Sequence, residues 1–496
     1  MPHATLAAVD LGSNSFHLQI ARVLDDQLYP LDSLKETVRL GGGITADKKI
    51  ESVTAERALA ALRLFGERLR GMPRGAVRVV GTNALRVAKN AGEFIREAER
   101  ALGYPIEIIA GREEARLIYL GVAKNLPTAK HDRMVVDIGG GSTEFIIGHR
   151  LKPKLMDSLY MGCVSYSARF FPDGAIDKRR FKEAQFAARK EIEQIRSAFL
   201  KMGWYEAFGS SGTARALAQV ATASTPAGCI TREDLERMRD RAIKAGSVGA
   251  MDLAGVKADR LPVISGGLAI MLTIFEELGI ERMQVVDSAL RDGVLYDMLG
   301  RDKHVDIREA TIAQFAKRYH VDVVQAARVE ALAVTFLDQL GPSGEEHTGT
   351  LTSHQRLAWA ARLHEAGIAI SQAGFHKHSA YILAQADMPG FSKREQAALA
   401  ALVLAARGKL VKVQTDIERS GTYAAEVLCL RLAALLSRSR RHVDSKAFSL
   451  ARRDGDFVFS VEAAWLAKHD LTDYELRQET AEWARLGITL RISEGR

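Results

Sequence analysis

Two hydrophobic rhythms alternate along the first 300 or so residues, and only one continues after them. Residues 4–9 form a short apolar run that ends in Asp10 and a Gly/Ser/Asn turn. An apolar segment resumes over 16–23, so the pair predicts a β-hairpin. Apolar positions at helical spacing follow over 54–70 and 91–102, with strand patterns at 76–80 and 106–109 between and after them. That alternation predicts an α/β arrangement. It recurs downstream, where residues 177–201 predict a long charged helix and residues 261–264 a strand leading into Gly266 and Gly267. Beyond Asp302 the pattern turns Ala- and Leu-rich with a helical period, over 308–319, 323–340, 355–369 and 393–406. The end of the chain predicts short strands at 448–450, 457–461 and 488–492 with a helix over 473–485. The boundaries read from this pattern are 1–125 and 126–300 for two α/β lobes, 301–440 for a helical domain and 441–496 for a small C-terminal module.

The two lobes open alike. Met134-Val-Val-Asp-Ile-Gly-Gly-Gly-Ser-Thr-Glu-Phe-Ile-Ile-Gly148 lies over Ala7-Ala-Val-Asp-Leu-Gly-Ser-Asn-Ser-Phe-His-Leu-Gln-Ile-Ala21 without a gap, pairing Asp10 with Asp137, Gly12 with Gly139 and Ser15 with Ser142. A constant offset of that kind indicates a duplicated domain. A strand that ends in Asp and runs into a Gly/Ser/Asn turn presents backbone N–H groups to an anion with little obstruction. Two such aspartates would repel a phosphate unless a hard cation such as Mg²⁺ lay between.

Other segments carry candidate chemistry beside a plainer reading. Arg86 follows an apolar strand, where it is either a phosphate clamp or a surface residue opening a helix. Glu113 and Glu114 open a helix, where acids suit the helix dipole and where one of them could serve as general base. Gly209-Ser-Ser-Gly-Thr213 and Ser265-Gly266-Gly267 read as anion-donating turns or as simple caps. Nine of the 13 histidines lie beyond residue 300. Residues 431–453 carry seven basic side chains against one acid, either a polyanion surface or a solvated face.

Composition narrows the class. Hydrophobic residues make up 47% of the chain and charged ones 26%, as in globular proteins, which excludes collagen-like and disordered chains. The net charge of +8 favours polyanionic partners. Three well-separated cysteines form no disulfide framework or CxxC pair, which fits a reducing cytoplasm, and no signal peptide or membrane-length apolar run is expected.

Taken in order, Ala8-Val-Asp-Leu-Gly-Ser-Asn-Ser-Phe-His17, Gly81-Thr-Asn-Ala-Leu-Arg86, Glu113-Glu-Ala-Arg-Leu-Ile118, Val136-Asp-Ile-Gly-Gly-Gly-Ser-Thr-Glu144, Met161-Gly-Cys163, Gly209-Ser-Ser-Gly-Thr213 and Leu290-Arg-Asp-Gly-Val294 resemble the exopolyphosphatase/guanosine pentaphosphate phosphohydrolase family. The resemblance implies two actin-like (ribonuclease H-like) lobes around a cleft, then an all-helical HD-like domain and the small β/α module. It implies an Mg²⁺-dependent exopolyphosphatase, with stimulation by a monovalent cation as an option, and the basic C-terminal half, able to hold the rest of the polymer, predicts a processive one. Hydrolysis of the 5′-phosphate of pppGpp is the alternative, and a non-enzymatic actin-like nucleotide-binding regulator or an ATP-dependent kinase a more distant one. By position, Glu114 matches the family's base, and Asp10, Asp137 and Glu144 its metal or water ligands. Ser13, Asn14, Ser15, Arg86, Gly139, Gly140, Gly141, Ser142, Ser211, Gly212 and Thr213 would hold phosphate. The basic C-terminal half, with His376, His378, Arg431, Arg438, Arg440 and Arg441, would guide the polymer. Glu365 stands where an HD site has Asp, which puts a second metal centre in question. The partners implied are polyphosphate or pppGpp and a second copy of the chain, with no nucleic acid and no integral membrane contact.

Overall fold

The computed structural model describes residues 3–24, 27–127, 130–221, 228–250, 256, 260–302, 306–341, 351–453 and 456–495. The chain divides into two compact units, Met1–Asp306 and Ile307–Arg496.

The first unit holds two sheets of the same plan. In one, the antiparallel strands β1 (Thr5–Leu11), β2 (Phe16–Leu24) and β3 (Gln27–Glu36) are followed by β4 (Val77–Gly81) and β5 (Ile106–Ile108), both parallel to β1, in the order β3-β2-β1-β4-β5. The other repeats that order with β6 (Arg133–Ile138), β7 (Thr143–His149), β8 (Lys152–Leu159), β9 (Glu206–Ser210) and β11 (Arg282–Val286), as β8-β7-β6-β9-β11. A further edge strand, β10 (Cys229–Thr231), pairs with β11. The sequence repeat is therefore also a repeat of topology.

Strand periodicity aims the key residues. Side chains on a strand alternate between faces. In β1, Ala7, Val9 and Leu11 enter the core of the first sheet's outer face, while Leu6 and Ala8 enter a second core. In β6, Met134, Val136 and Ile138 face outward, while Val135 joins that same second core. The shared core thus lies between the two sheets, filled by Ile118 and Tyr119 of the helix Gly111–Asn125 and by Val294 and Leu295 of the helix Leu290–Asp302. Asp10 continues the parity of Leu6 and Ala8, and Asp137 that of Val135. Both carboxylates therefore point to the inter-sheet face, at the end where the apolar layer stops.

One expectation is corrected. Residues 261–264 form no strand: Leu261–Val263 is a single 3₁₀ turn leading into the helix Ile264–Leu278, and Gly266 and Gly267 lie inside that helix. A short apolar run is ambiguous between strand and buried helix, and here Pro262, at the first turn, favours the helix. The two glycines serve packing. A Cβ on Gly266 would stand 2.6 Å from Ser167 N, and one on Gly267 2.5 Å from Thr213 Cγ2. The stretch Leu261–Leu278 is apolar enough to cross a membrane, yet 78% of it is buried in the protein core.

In the second unit the helices Val323–Leu340, Ser353–Leu363, Lys393–Ala405 and Gly421–Leu436 surround one core. A three-stranded sheet of β12 (Phe448–Arg453), β13 (Asp456–Glu462) and β14 (Leu490–Gly495) contributes Phe448, Phe457 and Phe459 to that same core, with Trp483 of the helix Asp470–Ala484.

Candidate active site

A cavity of about 120 Å³ opens where the two Asp turns meet. Its lining includes Asp10, Ser13, Asn14 and Ser15 from the first turn, Asp137, Gly139, Gly140, Gly141 and Ser142 from the second, and Glu114, Ser211 and Gly212. The turns touch directly. A Cβ on Gly140 would stand 2.9 Å from Ser13 Cβ and 3.1 Å from Asn14 N, and one on Gly141 2.4 Å from Asn83 Oδ1. Only glycine allows backbone to approach backbone this closely.

Cross-strand register places a partner opposite each aspartate. Asp137 faces Glu144 across the β6–β7 hairpin, and Asp10 faces His17 across β1–β2. The repeat thus carries an acid in one copy and an imidazole in the other. Glu144 lies behind the cavity lining, its Oε1 accepting a hydrogen bond from Ser158 Oγ at 2.8 Å. Thr213 also lies outside the lining, its hydroxyl donating to the carbonyl of Ile138 at 3.1 Å and so tying the helix Gly212–Ala221 to the end of β6.

The two adjacent glutamates separate cleanly. Residues four apart share a helix face, and Glu114 joins Ile118 on the cavity wall. Glu113 turns the other way, into a buried network: Arg116 donates to both of its carboxylate oxygens at 2.8 Å and to Asp297 Oδ1 at 2.6 Å. Arg78 completes the network through Glu107 and Asp297.

Arg86 is absent from the cavity wall. Its Nη1 donates to Glu114 Oε2 at 2.8 Å and to the carbonyl of Ile109 at 3.0 Å. Burial disfavours the charge on Arg86, but Glu114 outweighs that effect and holds the guanidinium above its usual range.

The carboxylates crowd one another. Burial pushes Asp10 up to about 7, Arg291 opposing and Glu114 adding to the rise. Burial also raises Asp137 to about 7, with Ser210 opposing and Glu114 and Asp10 adding. Glu144 is raised by burial and then by Glu114 and Asp137. Oδ1 of Asp10 and Oδ1 of Asn14 are buried and accept no hydrogen bond from any described residue. A buried carboxylate oxygen and a buried amide oxygen in this state are suited to a cation.

Four basic lining residues escaped the sequence reading of the site: His17, Arg215, Arg260 and Arg291. His17 and Arg291 stand within quoted motifs, and Arg215 lies two residues past Thr213. Arg260 follows a segment with no motif, so nothing local marked it. Burial, with Arg291, Lys35, Arg260 and Arg215, holds His17 down at about 2, which keeps the imidazole neutral.

The C-terminal candidates do not all share one site. Arg431, Arg438 and Arg440 line one cavity of about 310 Å³, while Arg441 lines another of about 600 Å³; neither lining includes His376 or His378. Each of these three guanidiniums already has a carboxylate partner: Glu479 for Arg431, Glu475 for Arg438, and Glu365 with Asp322 for Arg440. Glu365 therefore faces an arginine, and Nδ1 of its neighbour His364 meets the carbonyl of Ala361. Among the described residues no three His, Cys, Asp or Glu side chains form a ready-made metal cage.

The Ppx/GppA phosphatase family profile matches residues 19–302, and the profile for domain III of the Ppx/GppA phosphatases matches residues 307–480. The chain is 36% identical over 491 residues to guanosine-5′-triphosphate,3′-diphosphate pyrophosphatase of Aeromonas hydrophila, covering 98% of both chains. It is 37% identical over 489 residues to the protein of the same name from Pseudoalteromonas translucida, again covering 98% of both. Among solved structures, an exopolyphosphatase from Cytophaga hutchinsonii superimposes with a TM-score of 0.55 at 26% identity, over 60% of this chain and 98% of that one. The Aquifex aeolicus Ppx/GppA family member gives a TM-score of 0.52 at 26% identity, over 60% of this chain and 99% of that one.

Proposed function

This chain belongs to the Ppx/GppA phosphatase family, and from that premise we propose that it hydrolyses the terminal 5′-phosphoanhydride of guanosine 5′-triphosphate 3′-diphosphate, releasing orthophosphate. The sequence reading placed polyphosphate first. The order changes because the full-length relatives at 36–37% identity carry the guanosine name. Polyphosphate is the second reading, favoured by the likeness of 60% of the chain to an exopolyphosphatase.

The observation that carries the chemistry is the position of Glu114 on the cavity wall beside the two glycine-rich turns. Phosphoryl transfer needs positioning and charge stabilisation more than covalent chemistry. Glu114, fixed by Arg86, orients a water in line with the terminal phosphorus and accepts its proton. Backbone N–H groups of the turns at 12–15 and 139–142 receive the equatorial phosphate oxygens. Arg86 is better read as holding the base than as clamping phosphate.

Mg²⁺ fits the donor set. Asp10 and Asp137 would hold it, with Glu144 behind them adding negative charge, since Mg²⁺ takes one or two carboxylates and completes its shell with water and substrate phosphate. When bound, it would neutralise charge on the transferring phosphoryl group.

The finer description of the fold belongs to the same reading. The repeated strand order supports two actin-like lobes, and the helical region is taken as HD-like but without a metal centre of its own, given the Glu365–Arg440 pair. The enzyme would work in the cytoplasm as a homodimer, in keeping with three free, buried cysteines for the location. Orthophosphate release from pppGpp and from long-chain polyphosphate at matched terminal-group concentrations tests the proposal. Faster release from pppGpp, lost in Glu114→Gln, is the expected result; faster release from polyphosphate would reverse the two readings.

A further inference from the structure

The second unit holds a cavity that the chemistry above does not use. It encloses about 310 Å³, the size of a small-molecule site, and its floor differs from its mouth. His364 and Arg431 are buried lining residues, whereas Arg407 and Arg438 are exposed ones. Phe375, Ala406 and Leu435 supply buried apolar wall between them.

An unused acceptor lies at the floor. Nδ1 of His364 stands 2.6 Å from the carbonyl of Ala361. A carbonyl only accepts, so Nδ1 carries the ring proton. Burial holds the pKa of this imidazole below its usual range, which keeps the ring neutral. Nε2 is therefore an acceptor, and no described residue donates to it. A buried acceptor in that state gains from an N–H or O–H donor on a ligand. A metal ion would take the same lone pair, but the lining sets four guanidiniums against the carboxylates of Glu365 and Glu479, which repels cations.

The mouth carries positive charge in excess. Carboxylates hold Arg431, Arg438 and Arg440. Arg407 has no carboxylate partner among the described residues, and its guanidinium packs over the Phe375 ring, 5.4 Å from the centroid. Neighbouring groups respond to this excess. Burial lowers the Arg438 pKa, and Arg407 and Arg431 act in the same direction against Glu479. Beside Gly408 of the lining, burial and then Arg431 and Lys377 bring Lys412 down to about 8. Burial, Lys412, Lys377, Arg407 and Arg431 together hold His376 down at about 4. A phosphate at the mouth would offset this repulsion, with the planar fork of Arg407 free to bind it.

We propose that this cavity is a non-catalytic site for a nucleoside 5′-monophosphate, entered base first, with an N–H of the base donating to Nε2 of His364 and the phosphate held by Arg407 and Arg438. Only a ligand with a donor at one end, an apolar body and an anion at the other answers all three features. Orthophosphate satisfies the guanidiniums alone. An inorganic polyphosphate chain brings neither apolar surface for the wall nor an N–H for His364. The site is independent of the hydrolase reading, since all of its residues belong to the second unit.

Calorimetric titration of the full chain with GMP, AMP, CMP and UMP, beside ribose 5-phosphate, tests the site. At least one of the four nucleotides should bind tenfold or more tighter than ribose 5-phosphate. Arg407→Glu should weaken that nucleotide at least tenfold. His364→Leu removes the acceptor and should weaken it at least fivefold, with ribose 5-phosphate unchanged. Nucleotide binding that Arg407→Glu leaves intact would place the ligand elsewhere and overturn the site. Failure of all four nucleotides to bind, or ribose 5-phosphate binding as tightly as they do, would overturn it equally. Should His364→Leu fail to fold, the wild-type comparison with ribose 5-phosphate still reads recognition of the base, and Arg438→Gln joins Arg407→Glu in reading the phosphate. Arg407-dependent nucleotide binding by a chain that releases no orthophosphate from pppGpp or polyphosphate would sink the hydrolase reading and leave this site standing.

Discussion

Nη1 of Arg86 donates to Oε2 of Glu114 at 2.8 Å, joining a residue after β4 to the first turn of the helix Gly111–Asn125, and both side chains are largely buried. The contact fixes one carboxylate oxygen and leaves the other to face the cavity. Arg86→Ala should therefore lower kcat by about 10²-fold, the scale on which misplacing a general base is felt, with a smaller change in KM. Arg86→Lys keeps the charge but loses the planar fork, so it should recover only part of the rate. Steady-state kinetics of the two variants checks this; a rise in KM with kcat unchanged would return Arg86 to the role of phosphate clamp.

Glu113 and Glu114 should fail in different ways. Glu114→Gln should lower kcat by roughly 10³-fold with little change in melting temperature, as expected for a residue on the cavity wall. Glu113→Gln disturbs a buried network in which Arg116 also binds Asp297, and should cost about 3 kcal/mol of stability. Chemical denaturation beside single-turnover kinetics separates the two effects. If Glu113→Gln were as inactive as Glu114→Gln while fully stable, the assignment of the base would be wrong.

Asp10 and Asp137 should make the metal-free protein less stable as pH rises. Burial pushes each carboxyl up to about 7 from the ordinary aspartate value of 3.8. The folded state therefore binds more protons between those values, and this stabilising contribution, complete below about pH 4, is lost as pH climbs through 7. Asp10→Asn, which cannot ionise, should be more stable than wild type by about 1–3 kcal/mol at pH 8, and by less at pH 5. Mg²⁺ should stabilise the wild type at pH 8 and do little for the variant. Urea titrations at the two pH values, with and without Mg²⁺, measure the difference; a gap independent of pH would contradict it.

Gly140→Ala should damage the site without unfolding the protein. The new methyl group would meet Ser13 Cβ at 2.9 Å and Asn14 N at 3.1 Å, and could be accommodated only by parting the two turns. A loss of about 10- to 100-fold in kcat/KM is expected from displacement on that scale, and circular dichroism should show the fold intact.

The site's outline was legible because its parts are local. Asp10 and Asp137 end apolar runs, the glycines follow them, and Glu114 opens a helix, so each could be found by short-range pattern. What could not be found was convergence. Arg260 sits in no motif, yet it meets Arg215 and Arg291 on one cavity wall. The basic residues between 431 and 453 made the opposite case: crowded in sequence, they form no single open basic surface, since Arg441 lines a different cavity from Arg431, Arg438 and Arg440, and those three each meet a carboxylate supplied by a distant segment. Residues 261–264 misled because four apolar residues fit a strand and a buried helix equally well.

The sequence by itself determined the duplicated strand–Asp–turn unit, the alternation that sends both aspartates toward one face, and the change to helical texture near residue 302. These follow from covalent periodicity, which needs no partner. Only the tertiary structure set Glu114 on the cavity wall and Glu113 in a buried network, paired Arg86 with Glu114, and brought Arg215, Arg260 and Arg291 to the cavity that Asp10 and Asp137 line. Those outcomes depend on which distant groups share a low-dielectric space, where charge interactions are strong; spacing along a chain does not encode that distance.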